Sequence, residues 1–187
     1  MNTIAALWLP ILLSSVFVFV LSAILHMVLG YHNKDFKKLP DEDGVMDALR
    51  KFNIPPGDYA MPCAGSSAGM RNPDFKAKMD KGPVALMSFM KSGQPKMGKP
   101  LVLWFCYCVV VSVFAAYITS RAVGWGTPYL NVFRFAGCSA FMCYALALPH
   151  ESIWFNRSWS TTIKSILDGL LYALVTGGVF GWLWPKM

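Results

Sequence analysis

Five ionisable side chains stand inside or at the ends of long apolar stretches: His26, His150, Glu151, Lys164 and Asp168. Burying such groups in a bilayer is costly, so each is by default a functional candidate. Three chemistries suit the set. Two histidines from facing helices, His26 and His150, could hold a haem. A His–Glu–Asp group could pass protons or hold a metal, whose identity these residue types leave open. A polar mouth could receive a quinone or a lipid headgroup. A purely structural account competes with all three. Lys164 and Asp168 are four residues apart and could satisfy each other on one helix face, while His150 and Glu151 could form a hydrated turn.

The elements that must carry these residues follow from composition. The chain has 187 residues, 55% of them hydrophobic and 14% charged, against about 25% charged in a soluble domain. Its mean hydropathy is +0.43. The apolar residues are blocked into four runs, over 4–29, 101–118, 129–148 and 166–184, the last extended back to Thr161. Each approaches the roughly 20 residues that a spanning helix needs. The expected fold is an all-α, four-helix transmembrane bundle. It divides into a first span over 1–31, a cytoplasmic segment over 32–100 with one short amphipathic helix, and a three-span bundle over 101–187.

Charge sets the expected orientation. Twelve of the 17 Lys and Arg and eight of the ten acids lie in 32–100, a net +4. Beside membrane spans, a basic segment points to the anionic inner leaflet rather than to nucleic acid. Both termini are then outside. His26, His150, Glu151, Lys164 and Asp168 share one depth at the cytoplasmic mouth. Trp8, Trp125, Trp182 and Trp184 fall at the outer boundary, and Trp104, Trp154 and Trp159 at the inner one, as the interfacial preference of tryptophan requires. The stretch 1–29 has no basic n-region and reads as an uncleaved span rather than a signal peptide. Arg134 lies about 8 Å below the outer end of span three and is expected to snorkel to the surface.

Spacing within the last run predicts how it packs. Gly169, Ala173, Gly177 and Gly181 recur every fourth residue and draw a ridge where another backbone can come close. One ridge over, Lys164, Asp168, Tyr172 and Thr176 repeat the spacing with polar groups. Cys108, Ser112, Ala116 and Ser120 give span two a similar ridge, and Ser139, Cys143 and Ala147 give one to span three. In span one Ser14, Val18, Ser22 and His26 share a face, which turns His26 into the bundle. Pro149 is expected to end span three.

In the polar segment, Pro40-Asp41-Glu42-Asp43 predicts a helix start. Val45, Met46, Leu49 and Phe52 supply its apolar face, and residues 53–98 read mostly as loop. The stretch from Val84 to Met90 is a strand or a surface-lying segment. Gly65-Ser66-Ser67-Ala68-Gly69 matches the G-x-S-x-G pattern of a nucleophile elbow, but flanking Pro62 and Pro73, and a segment too short for the required sheet, point to a loop. The methionines of this segment could bind copper(I), yet only Met87 and Met90 are close, which favours apolar filler. The five cysteines show no zinc-finger spacing.

Trp8-Leu9-Pro10-Ile11-Leu12, His26-Met27-Val28 and Lys38-Leu39-Pro40, with Asp168-Gly169-Leu170-Leu171-Tyr172 and Phe180-Gly181-Trp182-Leu183-Trp184-Pro185, resemble a group of short, uncharacterised bacterial four-span inner-membrane proteins. The resemblance implies a bacterial inner-membrane protein and brings no activity or site with it. The leading expectation is a non-enzymatic accessory, assembly or scaffold protein without a cofactor. Its partners would be the anionic leaflet and either another protein or a second copy. A redox subunit binding haem or quinone at the cytoplasmic mouth is the first alternative. A small transporter or channel subunit is the second; no inverted repeat is apparent to favour it.

Overall fold

The computed structural model describes residues 4–186. Four of its helical stretches are long and apolar enough to cross a membrane: Ile4–Val28, Gly98–Ala122, Tyr129–Phe155 and Trp159–Leu183. The protein is thus a multi-pass membrane protein built as an all-α bundle. Two units divide the chain. One holds residues up to Phe36 together with those from Lys96 onward, and the other is Lys37–Pro95.

In the first unit, a short 3₁₀ turn at Ile4–Leu7 leads into α1 (Trp8–Ala23), which ends in a π-helical turn, Ile24–Val28. The Leu29 amide there donates to the Ile24 carbonyl, five residues back, at 3.1 Å. Three more helices of this unit are numbered here by their place in the whole chain: α4 (Gly98–Ala122), α5 (Tyr129–Tyr144) and α7 (Trp159–Leu183). Helices α1, α4, α5 and α7 pack as a closed ring in that order, with α5 against α7 the most extensive seam. A ladder of hydroxyls joins α1 to α4: the Ser14 and Ser15 Oγ atoms lie 3.0 and 3.2 Å from Ser112 Oγ. Large apolar side chains such as Trp8, Leu12, Val20 and Phe114 are exposed on the outside, where lipid would cover them.

The α7 ridge of small residues lies on α5. A Cβ on Gly177 would stand 2.8 Å from the Phe133 carbonyl oxygen and 3.2 Å from Gly137 Cα. On Gly169 it would meet Ala145 Cβ at 2.9 Å, and on Gly181 the Tyr129 ring at 2.7 Å. Ala173 is buried in the same seam. On the α5 side the buried line is Val132, Ala136, Ala140 and Tyr144. Of the ridge expected in span three, Ser139 is buried, while Cys143 and Ala147 are exposed.

Span three also breaks earlier than expected. Helix α5 stops at Tyr144, and Pro149 opens a further helix, α6 (Pro149–Phe155), instead of ending the span. A proline lacks the amide that would bond four residues back, and its ring clashes with that carbonyl. Four residues before Pro149 is Ala145, where the backbone leaves the helix (φ −128°, ψ −39°). The same proline suits the first position of a new helix. A hydroxyl pair, Ser152 with Thr162 at 2.7 Å, ties α6 to α7.

The second unit contains α2 (Glu42–Arg50), β1 (Gly57–Met61), α3 (Pro73–Lys81) and β2 (Ala85–Phe89). The Asp41 side chain caps α2 by accepting from the Gly44 amide, and Asn72 caps α3 through the Asp74 amide. The strands pair antiparallel, Gly57 opposite Phe89 and Met61 opposite Ala85. Residues 53–98 therefore hold a helix, α3, and a strand, β1, where loop was expected, while β2 falls within the Val84–Met90 stretch expected as a strand or a surface-lying segment. Before Pro62 the β1 run is too short to show an alternation, and its partner lies beyond α3. Ser66 Oγ accepts from the Gly69 amide at 3.1 Å, which makes the G-x-S-x-G stretch a local turn and not an elbow.

Candidate functional site

Asp168 is the centre of the site. It projects from the polar ridge of α7 and is only 3% exposed. A carboxylate so buried requires partners, and they come from the chain just after span one. Gly30 adopts a left-handed conformation (φ +61°), which a residue without Cβ accepts freely. The chain turns there, with the Asn33 amide bonded to the Gly30 carbonyl and the Asp35 amide to that of His32. Residues 31–35 are thereby folded back as a strap over the end of the bundle.

This strap binds α7 at two points. The Tyr31 hydroxyl donates to Asp168 Oδ1, and His32 Nε2 lies 2.8 Å from Asp168 Oδ2. Lys164 Nζ, one turn before Asp168, donates to the Tyr31 carbonyl at 2.8 Å and to Asp35 Oδ1 at 2.7 Å. The other Asp35 oxygen is 2.6 Å from His32 Nδ1. The Lys164 ammonium, and after it the His32 imidazole, hold the Asp35 carboxyl below the ordinary carboxylate range. His26 completes the group from the π-helical turn, where such turns often mark functional positions. Its Nε2 is 4.0 Å from Asp168 Oδ2, its Nδ1 3.0 Å from the Ser22 carbonyl oxygen, and its ring stacks on His32 at 4.6 Å.

The five expected residues thus part company. His26, Lys164 and Asp168 come together. His150 and Glu151 do not join them: both are exposed on α6, and His150 lies instead against the Phe155 ring at 5.5 Å. The break at Ala145 swings them onto a separate helix. No hydrogen bond or ion pair among the described residues connects either side chain to Asp168. The pairing of Lys164 with Asp168 is also replaced, because Asp35 offers Lys164 a carboxylate less deeply buried in the bundle. Arg134 is exposed and makes no ion pair among the described residues. Tyr31, His32 and Asp35 escaped the sequence expectation. Their charge and polarity place them in the segment after span one, and the boundary at residue 31 cuts through the strap. The available signal was Gly30, a turn-former between His26 and His32.

A cavity of about 470 Å³ opens beside Asp168. Five aromatic rings line it, Phe19 from α1, Trp104 and Tyr107 from α4, Tyr144 from α5 and Tyr172 from α7, among aliphatic side chains such as Leu101 and Leu148. His26 and Asp168 form its polar end. Trp104 is held by a bond from its indole nitrogen to Ser22 Oγ at 2.7 Å, and Tyr107 by one to the Cys143 carbonyl at 2.8 Å. Tyr144 and Tyr172 differ. They are 7% and 4% exposed; the Tyr172 hydroxyl makes no hydrogen bond among the described residues, and the Tyr144 hydroxyl has only the Cys108 thiol as partner. The Cys108 thiol beside Tyr144 is only a weak acceptor.

No protein-family model, curated protein or solved structure matches the chain.

Proposed function

We propose that this is a bacterial inner-membrane protein that binds a quinone-class ligand at the cytoplasmic end of its bundle, as an accessory subunit to membrane redox chemistry. The observation that carries the reading is a cavity with five aromatic rings in its wall, one of which, Tyr172, has a buried hydroxyl without a hydrogen-bond partner among the described residues. An unsatisfied buried hydroxyl costs about 1–3 kcal/mol, which a ligand accepting from Tyr172 would relieve on displacing the ring enough to reach it. The cavity volume falls in the range of ligand sites, roughly 300–1,000 Å³. Flat aromatic rings in the wall suit a flat ligand ring, and a ring carbonyl would supply the acceptor that Tyr172 lacks. An apolar tail would reach the cavity from the surrounding lipid. Lys34, Lys37 and Lys38 after span one support the cytoplasmic placement of this end.

The haem alternative draws no such support, because His26 and His150 are not brought together and His26 lies parallel to His32 on one side. The small-residue ridge of α7 is taken up by α5 of the same chain, which leaves the scaffold reading to the polar segment alone. There the apolar face of α2, with Val45 and Met46 exposed, favours a contact with the membrane surface or an assembly partner.

The test is titration of the purified full chain, in lipid nanodiscs, with a short-tailed quinone, followed by calorimetry. Saturable binding is expected, with affinity about fivefold lower in Tyr172→Phe, one hydrogen bond being worth roughly 1 kcal/mol. Absence of saturable binding, or binding indifferent to both Tyr172→Phe and Trp104→Ala, would overturn the reading.

A further inference from the structure

We propose that His26, His32 and Asp168 form a binding site for a first-row divalent transition-metal cation. The donor atoms, His26 Nε2, His32 Nε2 and a carboxylate oxygen of Asp168, all lie within 4.8 Å of one another. Tetrahedral coordination with bonds of about 2.0–2.1 Å sets donors roughly 3.3 Å apart. No pair therefore has to close by more than about 1.5 Å. Two imidazoles and one carboxylate suit zinc and its first-row neighbours, whereas calcium and magnesium ask for oxygen alone.

The hydrogen bonds around the cluster strengthen this assignment. The Ser22 carbonyl can only accept, so the proton of a neutral His26 sits on Nδ1 and the Nε2 lone pair is directed toward Asp168. Asp35, already bonded to Lys164, accepts from His32 Nδ1 at 2.6 Å, which likewise leaves the Nε2 of a neutral His32 as a lone pair. That atom is 2.8 Å from a second carboxylate, Asp168. The two rings stack nearly parallel, at 9°, so the half-exposed His26 ring has to turn before both Nε2 lone pairs meet one ion beside the Asp168 carboxylate. A proton on His32 Nε2 satisfies the contact to Asp168 alone, and the half-exposed His26 is then left to bond with water. A metal ion satisfies both lone pairs and the carboxylate. The surrounding groups match the usual support of metal-binding histidines, whose remaining N–H is held by a carboxylate or a backbone carbonyl. The Tyr31 hydroxyl on the other Asp168 oxygen orients the third ligand in the same way. A fourth coordination position faces the cavity, since His26 and Asp168 both line it.

The site adjoins the proposed quinone cavity through His26 and Asp168, and one experiment separates the two proposals. The full chain, purified in detergent and stripped with chelator, is titrated with cobalt(II), whose visible bands report tetrahedral coordination. One ion per chain, displaced by zinc(II), is expected. His26→Gln and His32→Ala should each lower affinity at least about tenfold, and Asp35→Asn about tenfold by loosening His32. His26 is half exposed, so His26→Gln should leave the melting temperature of the ion-free protein unchanged. Tyr172→Phe should leave cobalt binding intact even where quinone binding falls. Paramagnetic resonance of the copper(II)-loaded wild type should show two imidazole nitrogens, a readout independent of whether any variant folds. Cobalt binding unaffected by both histidine substitutions, or a copper spectrum without nitrogen coupling, would overturn the proposal.

Discussion

Helix α7 presents two neighbouring ridges with the same four-residue spacing and opposite fates. Gly169, Ala173, Gly177 and Gly181 close against α5 until backbone meets backbone, and a Cβ on Gly177 would already stand 2.8 Å from a carbonyl oxygen. Lys164 and Asp168 instead bond to the strap, and Asp168 and Tyr172 border the cavity. Helix geometry is identical on both; side-chain size and polarity decide which ridge becomes a seam and which a site. The tight seam also stabilises the loose one, because α5 and α7 can hold a cavity open only if their contact elsewhere resists collapse.

The sharpest way to break this contrast is Gly177→Leu. The added side chain has no space against Phe133 and Gly137, and overpacking of this kind costs 1–3 kcal/mol or more. We expect a loss of at least about 3 kcal/mol, or no folded bundle, by thermal unfolding in detergent. An unchanged melting temperature would show that the seam is not closed. Next comes Asp168→Leu, which strands Tyr31 and His32 at once. Breaking a buried charged contact on one side costs about 3–5 kcal/mol, and the lower end is expected because the strap can lift into water. A double-mutant cycle sharpens the point. Coupling of about 1 kcal/mol should appear between Lys164 and Asp35 and fall to a few tenths between Lys164 and Arg134. Tyr172→Phe is smaller and of opposite sign: removing an unpartnered buried hydroxyl should raise stability by up to about 1 kcal/mol while weakening quinone binding. His150→Ala should change stability by less than about 0.5 kcal/mol and alter neither ligand, and any larger effect would reinstate it in the site.

The two ridges also differ in how well they could be read from sequence. The four spans follow from apolar run length, and glycines at every fourth position point to a face that another helix can approach closely. Those signals are local and periodic. Asp168 was recognisable as a costly group, but not its partners. Tyr31, His32 and Asp35 reach it through a reversal at Gly30, and a single left-handed residue leaves no periodicity. Their polarity instead assigns them to the segment that follows. His150 and Glu151 misled for the converse reason: similar depth along an uninterrupted span three suggested proximity, while Pro149 had disrupted the helix at Ala145. Of the ribbon, the β2 stretch was legible as a strand, whereas β1 was hidden because it is five residues long and pairs across an intervening helix.

The site joins the two ends of the polypeptide: His32 and Asp168 are 136 positions apart. Ribosomes add roughly 5–20 residues per second, so for about 7–27 seconds after His32 is made its carboxylate partner does not yet exist. Through that interval span one can be in the bilayer with Tyr31, His32 and Asp35 still in water, and only the arrival of the last span gives them somewhere to dock. Closure of the strap therefore comes late in assembly, and a chain that stops short of α7 carries the histidines without the means to gather them.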